Sequence, residues 1–270
     1  MRIPAQNTAP DRRCGGPDMA PDILFWATAF VAVFFSGLAK GGFAGVGMIA
    51  TPLLSLVVPP LQAASIILPI LLVQDLLACV VYRSNVDWQV LRPLLPGAVA
   101  GVAAGFLFAA RVPDYGLALG LGLITLAFAL RGLLRRSMQH PPPRKPDGRL
   151  AFLAGSAAGL TSMISHAGAP PFQIYVLRLR LARDTFVGCS VFFFCFLNLI
   201  KVPPFLMLGS YDLEMFQIIM LLLPWALISS RIGVALVRRT DPVRFERIIL
   251  VLMGIIGVML LREGFLGLYC

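Results

Sequence analysis

Charged side chains are scarce in this chain, and that scarcity excludes most soluble folds. They make up 13% of the 270 residues, whereas an ordinary soluble domain has about a quarter. Hydrophobic residues make up 58%, and the mean hydropathy is +0.84. Apolar runs long enough to span a bilayer recur along almost the whole sequence. The composition therefore predicts an all-α polytopic membrane protein. The net charge of +10 lies mainly in short loops, so it indicates membrane orientation and not nucleic-acid binding.

Motifs for catalysis and cofactor binding are also missing. The sequence has no nucleotide-binding loop, no H-E-x-x-H metal motif and no G-x-S-x-G elbow. The five cysteines have no metal-ligand spacing. We therefore expect no enzyme activity, no cofactor and no metal. A membrane-embedded hydrolase using Ser162 or Ser165 with His166 is a remote alternative, because that spacing alone does not make a nucleophile–base pair.

Eight apolar segments are separated by short polar connections. The first has about 37 residues, or roughly 55 Å as one helix, which is too long for a single straight span. It predicts either two helices with a break between them or a re-entrant pair. The segments cover approximately residues 22–58, 61–81, 90–110, 115–134, 150–177, 182–208, 213–237 and 243–261.

The segments form two similar halves around one linker. Residues 1–21 are polar and without periodicity, so we expect them to be disordered. Residues 22–134 form the first membrane repeat and residues 150–270 the second. Between them, residues 135–149 are rich in proline and charge, which predicts an unburied, cytoplasmic linker.

Each repeat begins with an apolar segment interrupted by glycine and proline. At an offset of about 118 residues, Gly37 aligns with Gly155 and Pro52 with Pro170. Paired interruptions of this kind are the best pointer from sequence to a transport site. Basic residues flank both ends of the fifth segment, so we favour inverted repeats in which that segment is re-entrant or crosses twice. Eight plain spans in two parallel repeats are the alternative.

The first interruption contains Lys40, Gly41, Gly42 and Gly45. Unwound backbone exposes N–H groups, which together with helix N-termini can bind an anion. A lysine inside an apolar stretch is costly and is therefore often functional. The alternative is that Lys40 lies near the membrane surface and extends its ammonium to the headgroups.

The second interruption contains Thr161, Ser162, His166 and Gly168. Hydroxyl and imidazole groups are suitable hydrogen-bond donors to an oxyanion. His166 could also couple transport to protons, although a neutral interhelical hydrogen bond is an equally simple role. These residues and those of the first interruption form the predicted substrate-binding site.

Other polar residues interrupt the neighbouring segments. Gln74, Asp75 and Asn198 are candidates for ion coupling or for supporting the site. Asp75 is either a proton or cation site or a partner for a base such as Lys40. Lys201 lies close to a predicted segment end, which favours a headgroup-directed side chain. The glycine stripe, Gly97, Gly101 and Gly105, is typical of helix packing, with a homodimer contact as the alternative.

Taken in order, these motifs resemble the sulfite exporter TauE/SafE family of membrane permeases. The resemblance covers about residues 22–262. Its motifs are Ala39-Lys40-Gly41-Gly42-Phe43, Pro52, residues 62–64, 68–70 and 94–97, then Thr161-Ser162, His166-Ala167-Gly168, Pro170-Pro171, residues 186–188, Asn198 and Lys201-Val202-Pro203-Pro204. The resemblance implies two homologous membrane repeats, a bacterial inner membrane and transport of small anions, often sulfur-containing ones such as sulfite or organosulfonates.

The leading hypothesis is therefore a permease or exporter for a small anion, working by alternating access without ATP hydrolysis. Its expected partners are the anion, the lipid bilayer and a second copy of the chain, with no nucleic acid. The alternative is a non-transporting membrane scaffold that binds partners through the glycine stripe.

Overall fold

The computed structural model describes residues 22–40, 46–134, 146–208, 211–237 and 242–268. The predicted disordered segment, residues 1–21, lies outside these ranges, as does most of the predicted linker. Within them, regular structure is helical. The α-helices are α1 (Ile23–Ala39), α2 (Ala50–Leu54), α3 (Pro60–Tyr82), α4 (Trp88–Leu91), α5 (Leu94–Ala109), α6 (Asp114–Leu134), α7 (Gly148–Ser165), α8 (Ala169–Val176), α9 (Arg183–Met207), α10 (Leu213–Val237) and α11 (Pro242–Gly267), with 3₁₀ turns at Val46–Ile49 and Leu177–Leu179.

Five helices, α3, α6, α9, α10 and α11, are long and apolar enough to cross a membrane. The shorter helices α1 and α5 are also apolar. The predicted all-helical membrane protein is thus confirmed in its class, whereas the count of eight segments stays a prediction. Both interrupted segments contain a break: α1 is followed by a 3₁₀ turn and α2, and α7 is followed by α8.

Two aspartates fix where the first helix of each half begins. The carboxylate of Asp22 accepts the backbone N–H of Phe25 at 2.8 Å. The carboxylate of Asp147 accepts those of Arg149 and Leu150 at 2.9 and 3.3 Å. Each aspartate thereby caps backbone donors that the first turn leaves without a helical partner.

A proline within α3 is compensated by a tyrosine from another part of the chain. Pro69 has no N–H, so it cannot bond the carbonyl of Ser65 four residues earlier. The hydroxyl of Tyr211 donates to that carbonyl at 3.2 Å. Burial raises the pKa of Tyr211, which lies between α9 and α10, to about 12. The phenol therefore keeps its proton, and the hydrogen bond, across the physiological range.

The most extensive helix–helix interfaces all join the two halves of the chain. They are α5 with α7, α6 with α11, α1 with α10, and α3 with α9. Helices α1, α3, α5 and α6 correspond in chain order to α7, α9, α10 and α11. If each helix is replaced by its counterpart in the other half, the pair α1–α10 becomes the pair α7–α5. The pairs α3–α9 and α6–α11 each consist of two counterparts and stay the same. The two halves therefore pack together as one interlocked unit.

The glycine stripe forms one of these interfaces. A Cβ atom at Gly97 would overlap the carbonyl oxygen of Phe152, and one at Gly101 would overlap that of Ser156. In return, a Cβ at Gly155 would overlap the carbonyl oxygen of Leu94. The backbones of α5 and α7 thus approach as closely as small-residue membrane interfaces allow. The prediction of helix packing is confirmed, and this stripe is not the exposed surface that the scaffold alternative requires.

Corresponding helices of the two halves run in opposite directions where they meet. Along α3 and α9, Asp75 contacts Asn198, and Gly188, near the start of α9, lies against Asn85 just after α3. Along α6 and α11, Gly132 packs on Leu250, whereas Gly267 packs on Tyr115. Rising residue numbers in one helix meet falling numbers in the other, so both pairs are antiparallel.

Candidate functional site

A cavity of about 100 Å³ lies between the two interrupted segments. That volume is several times what one water molecule requires. Residues at both breaks line it, and α3 and α9 complete its wall. The lining residues are Ala39, Lys40, Gly47, Met48, Leu71, Asp75, Ser162, His166, Ala169, Phe186, Val187, Ser190, Val191, Phe194 and Asn198.

An ion pair bridges the first break and α3. The ammonium of Lys40 donates to Oδ1 of Asp75, with the two side chains 14% and 1% exposed. The second carboxylate oxygen, Oδ2, accepts Nδ2 of Asn198 in α9 at 2.6 Å. Asp75 therefore has a partner from each half of the chain. The prediction that Asp75 pairs with Lys40 is confirmed, and the ammonium does not extend away from the protein.

His166 marks the second break. It ends α7 in the left-handed conformation, with φ of 55°, and its N–H donates to the carbonyl of Ser162 at 3.0 Å. Helices usually place glycine at such a position, because a Cβ is disfavoured there. The imidazole lines the cavity, and its buried ring nitrogens have no hydrogen-bond partner among the described residues. Among the described residues, His166 forms neither the interhelical hydrogen bond nor the serine–histidine pair considered from the sequence.

Ser162 connects the cavity to a second lysine. The ammonium of Lys201, in α9, donates to the Ser162 hydroxyl at 3.0 Å and to its carbonyl at 3.3 Å. Lys201 is 0% exposed. The interpretation that its ammonium reaches the headgroups is therefore wrong. The physical reason is that α9 continues through Pro203 and Pro204 to Met207, which places Lys201 well inside the helix.

The site now has a cation, a carboxylate and unpaired donors in an enclosed space, flanked by two interrupted helices. The family model described as sulfite exporter TauE/SafE matches residues 29–260 of the chain. The chain belongs to the sulfite exporter TauE/SafE family. Neither a curated protein sequence nor a solved structure matches it. This TauE/SafE protein is a multi-pass membrane protein of a transporter family.

Some predicted residues of the TauE/SafE protein lie beside the cavity without lining it. The Thr161 hydroxyl is 2.8 Å from the carbonyl of Ala157 and 3.0 Å from that of Ala167, so it ties the break to α7. Gly168 packs against α7, where a Cβ would lie 2.9 Å from the carbonyl oxygen of Ala158. Nε2 of Gln74 donates to the carbonyl of Ala226 at 3.2 Å and joins α3 to α10. Their roles in binding or coupling stay predictions.

The remaining glycines of the predicted site, Gly41, Gly42 and Gly45, lie outside the described residues. The neighbouring Gly47 does line the cavity. On the opposite side, Pro170 and Pro171 occupy the first turn of α8 and supply no N–H. The two prolines therefore contribute no backbone donor at this helix start.

Most of the α9 wall of the TauE/SafE cavity was not predicted from the sequence. Val187, Ser190, Val191 and Phe194 lie on the cavity side of α9 together with Asn198, which was predicted as a coupling or supporting residue. Their spacing of three and four residues places them on one face of a helix, and that was the available signal. In an apolar membrane helix, however, such spacing does not stand out from its surroundings.

Proposed function

We propose that this TauE/SafE protein is a permease that moves a small anion, with sulfite and organosulfonates as candidates, across a bacterial inner membrane. The observation that carries the proposal is the cavity between the two breaks. It places the Lys40 ammonium, the Ser162 hydroxyl and the His166 imidazole around one space. The family description, sulfite exporter, supports the class of substrate.

The chemistry of the wall suits an oxyanion with a small apolar part. Lys40 offers positive charge, and the donors of Ser162 and Asn198 lie in the same wall. Leu71, Val191 and Phe194 line the cavity as well and give its wall an apolar part. Ion pairs and charge-assisted hydrogen bonds are stronger in such a low-dielectric site than in water.

Inverted repeats account for the helix directions. A two-fold axis along the membrane normal would keep corresponding helices parallel, whereas an axis in the membrane plane reverses them. The antiparallel pairs α3–α9 and α6–α11 support the second arrangement. In transporters of that kind, substrate sites lie at the interface of the repeats, near interrupted helices.

Alternating access follows from the same interface. Asp75 bonds Lys40 of its own half and Asn198 of the other, so rocking one half against the other would alter this contact first. The sequence contains no nucleotide-binding motif, which favours secondary or facilitated transport. The rocking would expose the cavity to each side of the membrane in turn.

The first prediction concerns Lys40 and His166, which we expect to be required for flux. In proteoliposomes loaded with radiolabelled sulfite, Lys40→Ala and His166→Ala should each lower initial flux by about tenfold or more, because each removes a polar group from the cavity wall. Arg92→Ala removes an exposed side chain outside the cavity and serves as the matched control. Thermal unfolding of each purified variant separates lost transport from lost folding. Wild-type flux in both cavity variants would refute the assigned site.

A further inference from the structure

A second lysine behind the cavity wall has no partner of opposite charge in contact. Lys201 is fully buried, and its ammonium donates only to the carbonyl and hydroxyl of Ser162 among the described residues. Both acceptors are uncharged. A buried ammonium without a counter-ion is costly in a low-dielectric interior. An anion in the adjacent cavity would remove that cost.

The acidic side chain of the cavity cannot serve as that counter-ion while it holds its present partners. Asp75 lines the same cavity as Ser162, the hydrogen-bond partner of Lys201. Its two oxygens, however, are occupied by Lys40 and Asn198. Among the described residues that line the cavity or contact its lining, Lys40 and Lys201 therefore stand against one carboxylate, Asp75. With both ammonium groups protonated and the His166 imidazole uncharged, the site has one excess positive charge.

Ser162 can link the Lys201 ammonium to a ligand through hydrogen bonds. Its hydroxyl oxygen accepts the Lys201 ammonium, and its own proton has no acceptor among the described side chains and carbonyls. A hydroxyl has one proton to donate, and here it can point into the cavity that Ser162 lines. The unpartnered ring nitrogens of His166 line the same space. Two independent groups thus lack the partner that a bound ligand would supply.

We propose that the transported anion is singly charged and is the counter-ion of Lys201, which acts on it through the Ser162 hydroxyl. This inference rests on the proposed function and adds to it the valence of the substrate. One monovalent anion cancels the excess charge of the site. A divalent anion leaves a net negative charge in a desolvated space, which disfavours its binding. Lys201 is accordingly a specificity-determining residue that does not itself line the cavity.

Methanesulfonate and sulfate are the probes. Both present oxygens on a tetrahedral sulfur, but methanesulfonate is singly charged and sulfate doubly charged. Their dissociation constants come from ligand-induced shifts of the unfolding temperature of the purified protein, and from competition against sulfite uptake. The wild type should bind methanesulfonate more tightly. Asp75→Asn keeps the shape of the side chain and adds one net positive charge, so the affinity ratio should move toward sulfate by about tenfold or more.

Lys201→Met supplies the opposite change. It should weaken both anions by about tenfold or more, sulfate the more strongly, so that the affinity ratio moves further toward methanesulfonate, without lowering the unfolding temperature of the ligand-free protein. Arg92→Ala also removes one positive charge, at an exposed position, and should leave the ratio unchanged. If Lys201→Met does not fold, Asp75→Asn carries the test alone.

The outcomes separate this inference from the proposed function. A wild type that prefers sulfate, or an affinity ratio that Asp75→Asn and Lys201→Met both leave unchanged, would overturn the valence assignment while sulfite flux still supported a permease. A wild type that neither binds an anion nor carries sulfite would overturn both.

Discussion

Replacing Gly101 with alanine tests the interlocked packing of the two halves. Gly101 lies at the middle of the glycine stripe, against α7. A Cβ atom there would overlap the carbonyl oxygen of Ser156 and lie 2.8 Å from the backbone nitrogen of Leu160. Both neighbours are backbone atoms, which cannot rotate away as the end of a side chain could. The helices α5 and α7 would have to separate to accept one methyl group.

The expected cost follows from two opposing effects. Overpacking of a close interface costs about 1–3 kcal/mol. Alanine in place of glycine within a helix recovers about 1 kcal/mol. The difference is about 0–2 kcal/mol of net destabilisation, and we expect a value in the upper half of that range because the overlap is with backbone atoms. The change also widens the interface nearest the second break, so sulfite flux should fall as well.

Gly120 provides the matched control. It lies within α6, and a Cβ built there meets no atom within 4 Å. Gly120→Ala should therefore stabilise the protein by about 0.5–1 kcal/mol, the opposite sign to Gly101→Ala. Thermal or SDS-induced unfolding of the purified proteins measures both. Equal stability of the two variants would refute the reasoning, because Gly101 would then not be in close backbone contact with α7.

Two further predictions concern His166 and Tyr211. His166→Gly should stabilise the protein by about 1 kcal/mol, since glycine accepts the left-handed conformation without a Cβ penalty, and should abolish sulfite flux; a less stable variant with normal flux would contradict this. Tyr211→Phe should cost about 1 kcal/mol in unfolding free energy by leaving the Ser65 carbonyl without its donor. That cost should shrink in a Pro69→Ala background, where residue 69 regains an N–H for the same carbonyl, and an unchanged cost would exclude the hydrogen bond as its source. Because the pKa of Tyr211 is raised from 10.0 to about 12, this stabilisation is complete below about pH 10 and is lost as pH rises to about 12.

The sequence was sufficient to place the helices and the two breaks. The segment predicted at residues 213–237 coincides with α10, and the one predicted at 61–81 differs from α3 by one residue at each end. The length of an apolar run indicates a membrane span, and proline or glycine within it indicates a break. Both signals depend only on neighbouring residues, so a single sequence is enough to detect them. The same locality explains why the sequence indicates Lys40, Ser162 and His166 as candidate site residues; all three line the cavity, and their roles in binding stay predictions.

Partners across the halves could not be predicted in the same way. A membrane helix is apolar on most of its surface, so hydrophobic periodicity does not indicate which face packs against protein. The contact of Asp75 with Asn198 joins residues 123 positions apart in the chain. Both residues were noted as intramembrane polar groups, but nothing local indicated that they meet. Most of the cavity wall of α9 was missed for the same reason.

Lys201 shows how a correct local rule led to a wrong interpretation. The predicted segment ends at residue 208, and a lysine close to a segment end was expected to extend its ammonium to the membrane surface. In the structure α9 ends at Met207, close to that prediction, but the Lys201 side chain is directed toward α7. Its ammonium there meets Ser162, inside the protein. A charge assigned to the lipid headgroups thereby becomes the excess charge of the site, and the valence of the anion depends on it.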